Sequence, residues 1–343
     1  MKSIRIHSHG NIDVLEVKNL SQPLISDNKV KVQIKAASMN HLDIWVRNGL
    51  PGIPIPLPLT LGSDAAGLVV EVGKNVKKFK LNDKVVIQPG TFNDSFNDLK
   101  VKKENYSKSY GILGETEDGV QSEYVCLQEN NLYKMSDFLS FTDASSMQLV
   151  FMTSYQMLVS RANLLKGETL LVYGGSSGIG SAAIQIAKEI GAFVIATVGD
   201  KDKETYAYEM GADAVLFHYN NDNLYSQIKD LTKNNLCDVI FEHVGLTTWQ
   251  TSLKSLARGG RIVTCGSTTG ANVSFDLRHL FMKQQSILGS TMSSIDSFIN
   301  VMNKIENKKY KPFVDNIFSF NDIKKAHLYM QESKQKGKIV LVP

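Results

Sequence analysis

The chain has 343 residues, 43% of them hydrophobic and 21% charged, with a formal net charge of +4. Such a length holds two domains with sizeable cores, and this composition excludes an intrinsically disordered chain. Lysines 308, 309, 334, 336 and 338 are broken up by polar and apolar neighbours, so they read as solvated surface rather than a nucleic-acid or membrane patch.

Three widely spaced cysteines, Cys126, Cys237 and Cys265, argue against a disulfide framework and against a clustered zinc site. They suit a reducing compartment. The N-terminus carries no apolar leader and no run reaches the roughly 18 apolar residues of a membrane span, so the cytoplasm is the expected location.

In chain order, Val32, Ile34 and Ala36 alternate with Lys31, Gln33 and Lys35, the period of a strand with one wet face. Strands are also predicted over 66–72, 84–88 and 122–127, which makes residues 1–125 a mostly β domain. Pro51, Pro54, Pro56 and Pro58 forbid regular structure before Leu61.

After about residue 140 the pattern changes. Apolar runs at 169–173, 193–198, 214–217, 238–242, 261–265 and 286–288 read as strands, with helical spacing at 179–190, 204–210, 224–232 and 248–257. Strand and helix alternating in this way predict an α/β fold, a doubly wound parallel sheet, over 126–290, with 291–343 returning to the first domain.

The first of these strands runs through Gly174, Gly175, Ser176, Ser177, Gly178, Ile179 and Gly180 into a helix. Gly175, Gly178 and Gly180 allow a tight turn and a close approach of backbone to a dinucleotide diphosphate, which the helix N-terminus attracts through Ser177, Gly178, Ile179 and Gly180. NAD-selecting folds place an acid at the end of the next strand, and here Val198 stands there. Gly199 and the lysines Lys201 and Lys203 follow, leaving room and charge for a 2′-phosphate, so NADPH is the expected cofactor. The competing reading lets Asp200 take the acid's part.

With these motifs in place, the whole chain resembles the medium-chain dehydrogenase/reductase superfamily. The resemblance rests on residues 40–49 (NHLDIWVRNG), 61–67 (LGSDAAG), 79–86, 264–270 (TCGSTTG), 288–292 (LGSTM) and 337–341 (GKIVL). Within the superfamily it resembles quinone oxidoreductases and an alcohol dehydrogenase-like bacterial branch. It implies a Rossmann domain inserted in a GroES-like substrate domain, and a homodimer paired through the edge of the nucleotide-domain sheet.

Zinc-dependent members hold their catalytic metal at positions matched here by Asn40, Ser63, Asp64 and Leu149. Leucine cannot ligate zinc, and Asn and Ser are poor substitutes for thiolate and imidazole, so no metal is expected. Residues 88–119, matched to the family's structural-zinc lobe, contain no cysteine and include Asn93, Asp94, Asn97, Asp98, Lys100, Lys102 and Lys103. A mobile loop is the expectation there.

Hydride transfer to a quinone or an enal, enone or enoyl thioester needs no Lewis acid, because the charge formed is delocalised. Asn40 is the first choice as hydrogen-bond donor to the acceptor oxygen, with His41, Asp43 and Trp45 beside it. Against these stand plainer readings: Asn40 braces a turn, His41 is structural, Trp45 is core, and Asp43 pairs with Arg47 one helical turn away. The resemblance further implies Thr153, Val244, Gly266 and Ser267 near the nicotinamide and Lys338 at a phosphate, unless Lys338 is a surface lysine. Other readings are a non-catalytic dinucleotide scaffold and a zinc alcohol dehydrogenase.

Overall fold

The computed structural model describes residues 1–92, 103–219 and 221–343. They divide into two compact units, one of residues 1–149, 294–299 and 311–343 and the other of residues 150–293 and 300–310.

In the first unit the central strand is Lys29–Ser38, antiparallel to Asp64–Val72 on one side and to Tyr124–Gln128 and the end of Lys338–Val342 on the other. Its alternation is real in space: Val30, Val32 and Ile34 are buried while Lys29, Lys31 and Gln33 are half-buried. Ser38 stands opposite Asp64 and Val340, and the Met39 N–H donates to the Ile339 carbonyl at 2.9 Å. That register delivers the residue after Met39 to the start of two other strands.

Helix His41–Asn48 follows at once and stops at Gly49, whose φ of 89° an L side chain rarely adopts. Its Ile44 and Val46 enter a core of Ile4, Ile6, Leu59, Leu61, Phe320 and Leu341. Burying each such side chain contributes roughly 1.5–3 kcal/mol, which anchors the helix to the sheet.

The expected domain boundary at 125 moves to 149. Leu127 and Leu132 belong to the first unit's core with Val30 and Val85, and Tyr124–Gln128 and Leu132–Lys134 extend its sheet. Residues 93–102, inside the stretch expected to be mobile, lie outside the described residues. Around them, Gly90–Thr91 pairs antiparallel with Gly111–Ile112.

The second unit contains, among the described residues, a six-stranded parallel sheet. Its order is Ala214–Phe217, Phe193–Val198, Thr169–Val172, Cys237–Glu242, Leu256–Thr264, Ser286–Gly289. The order reverses at Thr169–Val172, and in such sheets ligands bind beyond the strand carboxyl ends at that reversal. The doubly wound α/β architecture read from the sequence is the one observed.

Candidate functional site

Two polar constellations bring the expected site residues together, one in each unit. The turn between Thr169–Val172 and helix Gly178–Ile190 is built by backbone. Gly174 has φ of 61°, and a Cβ on Gly180 would lie 2.2 Å from the Gly174 carbonyl oxygen. Ser177 caps the helix, its Oγ accepting the Gly180 N–H at 3.0 Å. The first-turn N–H groups of Gly178 and Ile179 have no intrahelical acceptor and point a partial positive charge outward. The cradle therefore fits a diphosphate.

Other expected cofactor residues are placed within the same unit. Thr153 is buried, and its Oγ1 has no partner among the described residues, an orphaned hydroxyl of the kind a bound ligand satisfies. Val244 is half-buried. Its carbonyl accepts from Thr269 N and Oγ1, both at 2.8 Å, while Gly266 is half-buried and Ser267 exposed.

Beyond Val198, Asp200 turns back on its own loop, accepting the Lys203 N–H at 3.2 Å, with Lys203 Nζ 3.4 Å from its other oxygen. The Lys203 side chain is only 12% exposed, so it is not a freely solvated lysine. The Tyr219 ring packs so near Gly199 that a Cβ there would lie 2.8 Å from it. Sequence reading missed Tyr219, and also Glu242. The buried Glu242 carboxylate accepts from the N–H groups of His243, Val244 and Gly245 and from the hydroxyls of Thr248 and Ser252, at 2.7–3.1 Å. An acid ending an apolar strand was the available signal.

In the first unit, side chains make the site. Asn40 Oδ1 accepts from Lys338 Nζ at 2.5 Å, Asn40 Nδ2 donates to Asp64 Oδ2 at 2.9 Å, and Lys338 Nζ lies 3.2 Å from the same Asp64 oxygen. Asp64 Oδ1 accepts the Leu149 N–H at 2.9 Å. Asp43 Oδ2 accepts the Asn40 N–H at 2.7 Å, and its Oδ1 the Gln121 amide at 3.3 Å. Burial pushes the Asp43 carboxyl up to about 7, against the hydrogen bonds from Asn40 and Gly62 and the nearby Lys338 ammonium. Burial likewise pulls the Lys338 ammonium down, opposed by Asp64 and Asp43.

Several expectations change here. Lys338 is no surface lysine: its side chain is 5% exposed, and its ammonium is turned onto Asp64 and Asn40. Asp43 and Arg47 do not pair. Arg47 instead donates to His327 Nδ1 at 3.2 Å, Gln331 Oε1 at 3.3 Å, the Gly10 carbonyl and Asn48. Burial and the Arg47 charge push the His327 imidazole down to about 3. His41 is exposed and Trp45 half-buried, their rings meeting edge-on with centroids 5.1 Å apart.

The residues at the family's metal positions do not fit a metal. Ser63 Oγ donates to the Leu113 carbonyl at 2.8 Å, Leu149 offers no donor atom in its side chain, and an ammonium already occupies the Asp64 carboxylate. Among the described residues no group of three His, Cys, Asp or Glu side chains is arranged to hold an ion.

Comparison with known proteins agrees with this fold. The model of the alcohol dehydrogenase GroES-like domain matches residues 26–137, and that of zinc-binding dehydrogenases matches residues 178–307. A crotonyl-CoA carboxylase/reductase of Cereibacter sphaeroides is 28% identical, over 97% of this chain and 85% of its own. A quinone oxidoreductase of Pseudomonas aeruginosa is 27% identical over 100% of this chain and 99% of its own. The crystal structure of an NAD-dependent alcohol dehydrogenase is 36% identical and covers 100% of both chains with a TM-score of 0.94. Fold, motifs and these relatives together lead to one conclusion: the chain belongs to the medium-chain dehydrogenase/reductase superfamily and is an oxidoreductase.

Proposed function

We propose that the protein is an NADPH-dependent reductase that works without a metal and passes hydride to a quinone or another activated carbonyl acceptor. The observation that carries this reading is the Lys338 ammonium held between Asp64 and Asn40, a fixed cation where relatives of the zinc-dependent type place their metal ligands. An acceptor whose negative charge delocalises needs hydrogen-bond donors there rather than a Lewis acid.

NADPH, when bound, supplies the hydride. The chain's own residues do the rest. The 174–180 turn with Ser177 holds the diphosphate, and Thr153, Val244, Gly266 and Ser267 face the nicotinamide end. Gly199, Lys203 and Tyr219 receive the 2′-phosphate, since Val198 brings no acid and Asp200 is spent on its own loop. Asn40 donates to the acceptor oxygen, Trp45 and His41 form the face that receives the acceptor, and solvent returns the proton.

An enoyl thioester is the second acceptor class, favoured by the similarity to a crotonyl-CoA carboxylase/reductase. A homodimer is supported by the edge position of Ser286–Gly289 and by the exposed Leu277, Phe281 and Met282 near it in sequence.

The test is nicotinamide oxidation followed against a quinone series and an enone and enoyl-thioester series, with NADPH and NADH compared, since one similar structure is described as NAD-dependent. The reading expects a higher kcat/KM with NADPH, turnover with a quinone, and no loss after chelation. A preference for NADH, or activity that needs added zinc, would refute the corresponding part.

A further inference from the structure

The Asn40 amide sits between two groups of opposite character, and this fixes which way it faces. An ammonium offers only donors and a carboxylate only acceptors. Oδ1 toward Lys338 at 2.5 Å and Nδ2 toward Asp64 at 2.9 Å is the arrangement that satisfies both. Rotating the amide by half a turn would set N–H against ammonium and oxygen against carboxylate, forfeiting two charge-assisted hydrogen bonds. All three residues are more than nine-tenths buried, so water does not compensate the loss.

The three residues are far apart in the chain, 24 positions from Asn40 to Asp64 and 298 to Lys338. The strand register places Ser38 opposite Asp64 and ties Met39 to Ile339. The lock is thus part of the sheet.

One consequence concerns the remaining hydrogen. Nδ2 carries two, and Asp64 takes one. Among the described residues, the bond to Asp64 is the one hydrogen bond that Nδ2 makes, which leaves the second hydrogen over. A buried donor left over in this way is costly in the free protein and is satisfied when a ligand oxygen arrives. Polarisation acts in the same sense, because a cation drawing on Oδ1 withdraws electron density from the amide nitrogen and strengthens its N–H as a donor.

We propose that Lys338 and Asp64 are positioning residues which lock the Asn40 amide so that its second Nδ2–H is presented to the acceptor oxygen. The proposal rests on the reading above that Asn40 touches the acceptor. It gives Lys338 a role in the reaction that is separate from holding a cofactor phosphate.

The two roles separate experimentally. Asn40→Ala, Lys338→Met and the double variant are compared with the parent for kcat with a quinone and for the NADPH dissociation constant by fluorescence titration. Asn40→Ala is expected to lose roughly 100- to 1000-fold in kcat, the scale of one preorganised donor, and Lys338→Met no more than that, each with NADPH affinity within about twofold. The double variant is expected to be no slower than Asn40→Ala, because Lys338 acts through that amide. Asp64→Asn disturbs the same amide from its other side and serves if Lys338→Met does not fold.

Three results overturn the proposal. One is Lys338→Met weakening NADPH binding with kcat unchanged, the signature of a phosphate contact. Another is losses in the double variant that multiply. The third is Asn40→Ala with an unchanged kcat, which removes the functional role of Asn40 as well. A multiplied loss beside a slow Asn40→Ala leaves that role standing and refutes the lock alone.

Discussion

The 174–180 turn and the Asn40–Asp64–Lys338 cluster are both preorganised polar surfaces, yet they are built by opposite means. In the turn, backbone N–H groups face outward and glycine fills four of the seven positions, because a Cβ on Gly180 would collide with the Gly174 carbonyl. In the cluster, side chains supply the functional atoms, while backbone holds strands in register and steadies the carboxylates through the Leu149 and Asn40 N–H groups. A backbone-built site depends on local residues alone. A side-chain-built site depends on partners brought from three distant places.

The difference predicts where each will break. The largest effect belongs to the turn: in Gly180→Val the new side chain has no room, since the colliding atoms at 2.2 Å and 2.8 Å are backbone and cannot yield without moving the loop. NADPH affinity is expected to fall by roughly 100-fold or more, about 3 kcal/mol, with a lowered Tm. Titration of the variant checks this, and near-parental affinity would mean that the diphosphate is held elsewhere.

The same contrast explains what could be read in the sequence. Gly175, Gly178 and Gly180 announce themselves, because the turn's geometry demands glycine within a few residues of a buried strand and an amphipathic helix. The parallel strands were legible for a similar reason, as Phe193–Val198 and Cys237–Glu242 are apolar runs bounded by turns. Asn40, Asp64 and Lys338 were all found as motif positions, but Lys338 was expected at a cofactor phosphate, since nothing local says that a lysine before Ile339 is buried against Asn40 and Asp64. The Asp43–Arg47 spacing misled for the matching reason. Helical periodicity puts the two on one face, whereas Arg47 finds His327 and Gln331 on another helix, and no pattern within 41–48 encodes that. The boundary at 125 failed because Tyr124–Gln128 pairs with a strand about a hundred residues earlier.

A side-chain-built region should also respond to pH, and two of its groups do so with opposite sign. Burial and Arg47 hold the His327 imidazole near 3, against an ordinary value of about 6.5. Below pH ~6.5 the unfolded chain takes up a proton that the native chain refuses, so this contribution is complete above that pH and is lost as pH falls toward 3.

Burial raises Asp43 to about 7, so between about 4 and 7 the native chain holds the proton that the unfolded chain releases. Its contribution is complete at the acid end and lost as pH rises. Urea midpoints from pH 4 to 7 should therefore change in opposite directions: His327→Gln removes the gain with rising pH, and Asp43→Asn removes the fall. Each effect is at most roughly 4 kcal/mol. Comparison with the parent cancels His218, which burial holds near 4. Identical pH profiles for both variants would show that neither group titrates as its surroundings dictate.

The smallest effect concerns Trp45, which sits on the open face of helix His41–Asn48 against the His41 ring. If the ring receives the acceptor, Trp45→Ala raises acceptor KM by roughly 3- to 10-fold, about 1 kcal/mol of aromatic contact, while NADPH affinity and kcat stay close to the parent. If the ring is packing instead, the same change lowers Tm and leaves KM alone, because a half-buried indole lost from a core costs stability before it costs binding. Measuring KM and Tm on one preparation separates the two. A fall in Tm alone would return Trp45 to the core and leave the Asn40 amide as the acceptor's contact in this unit.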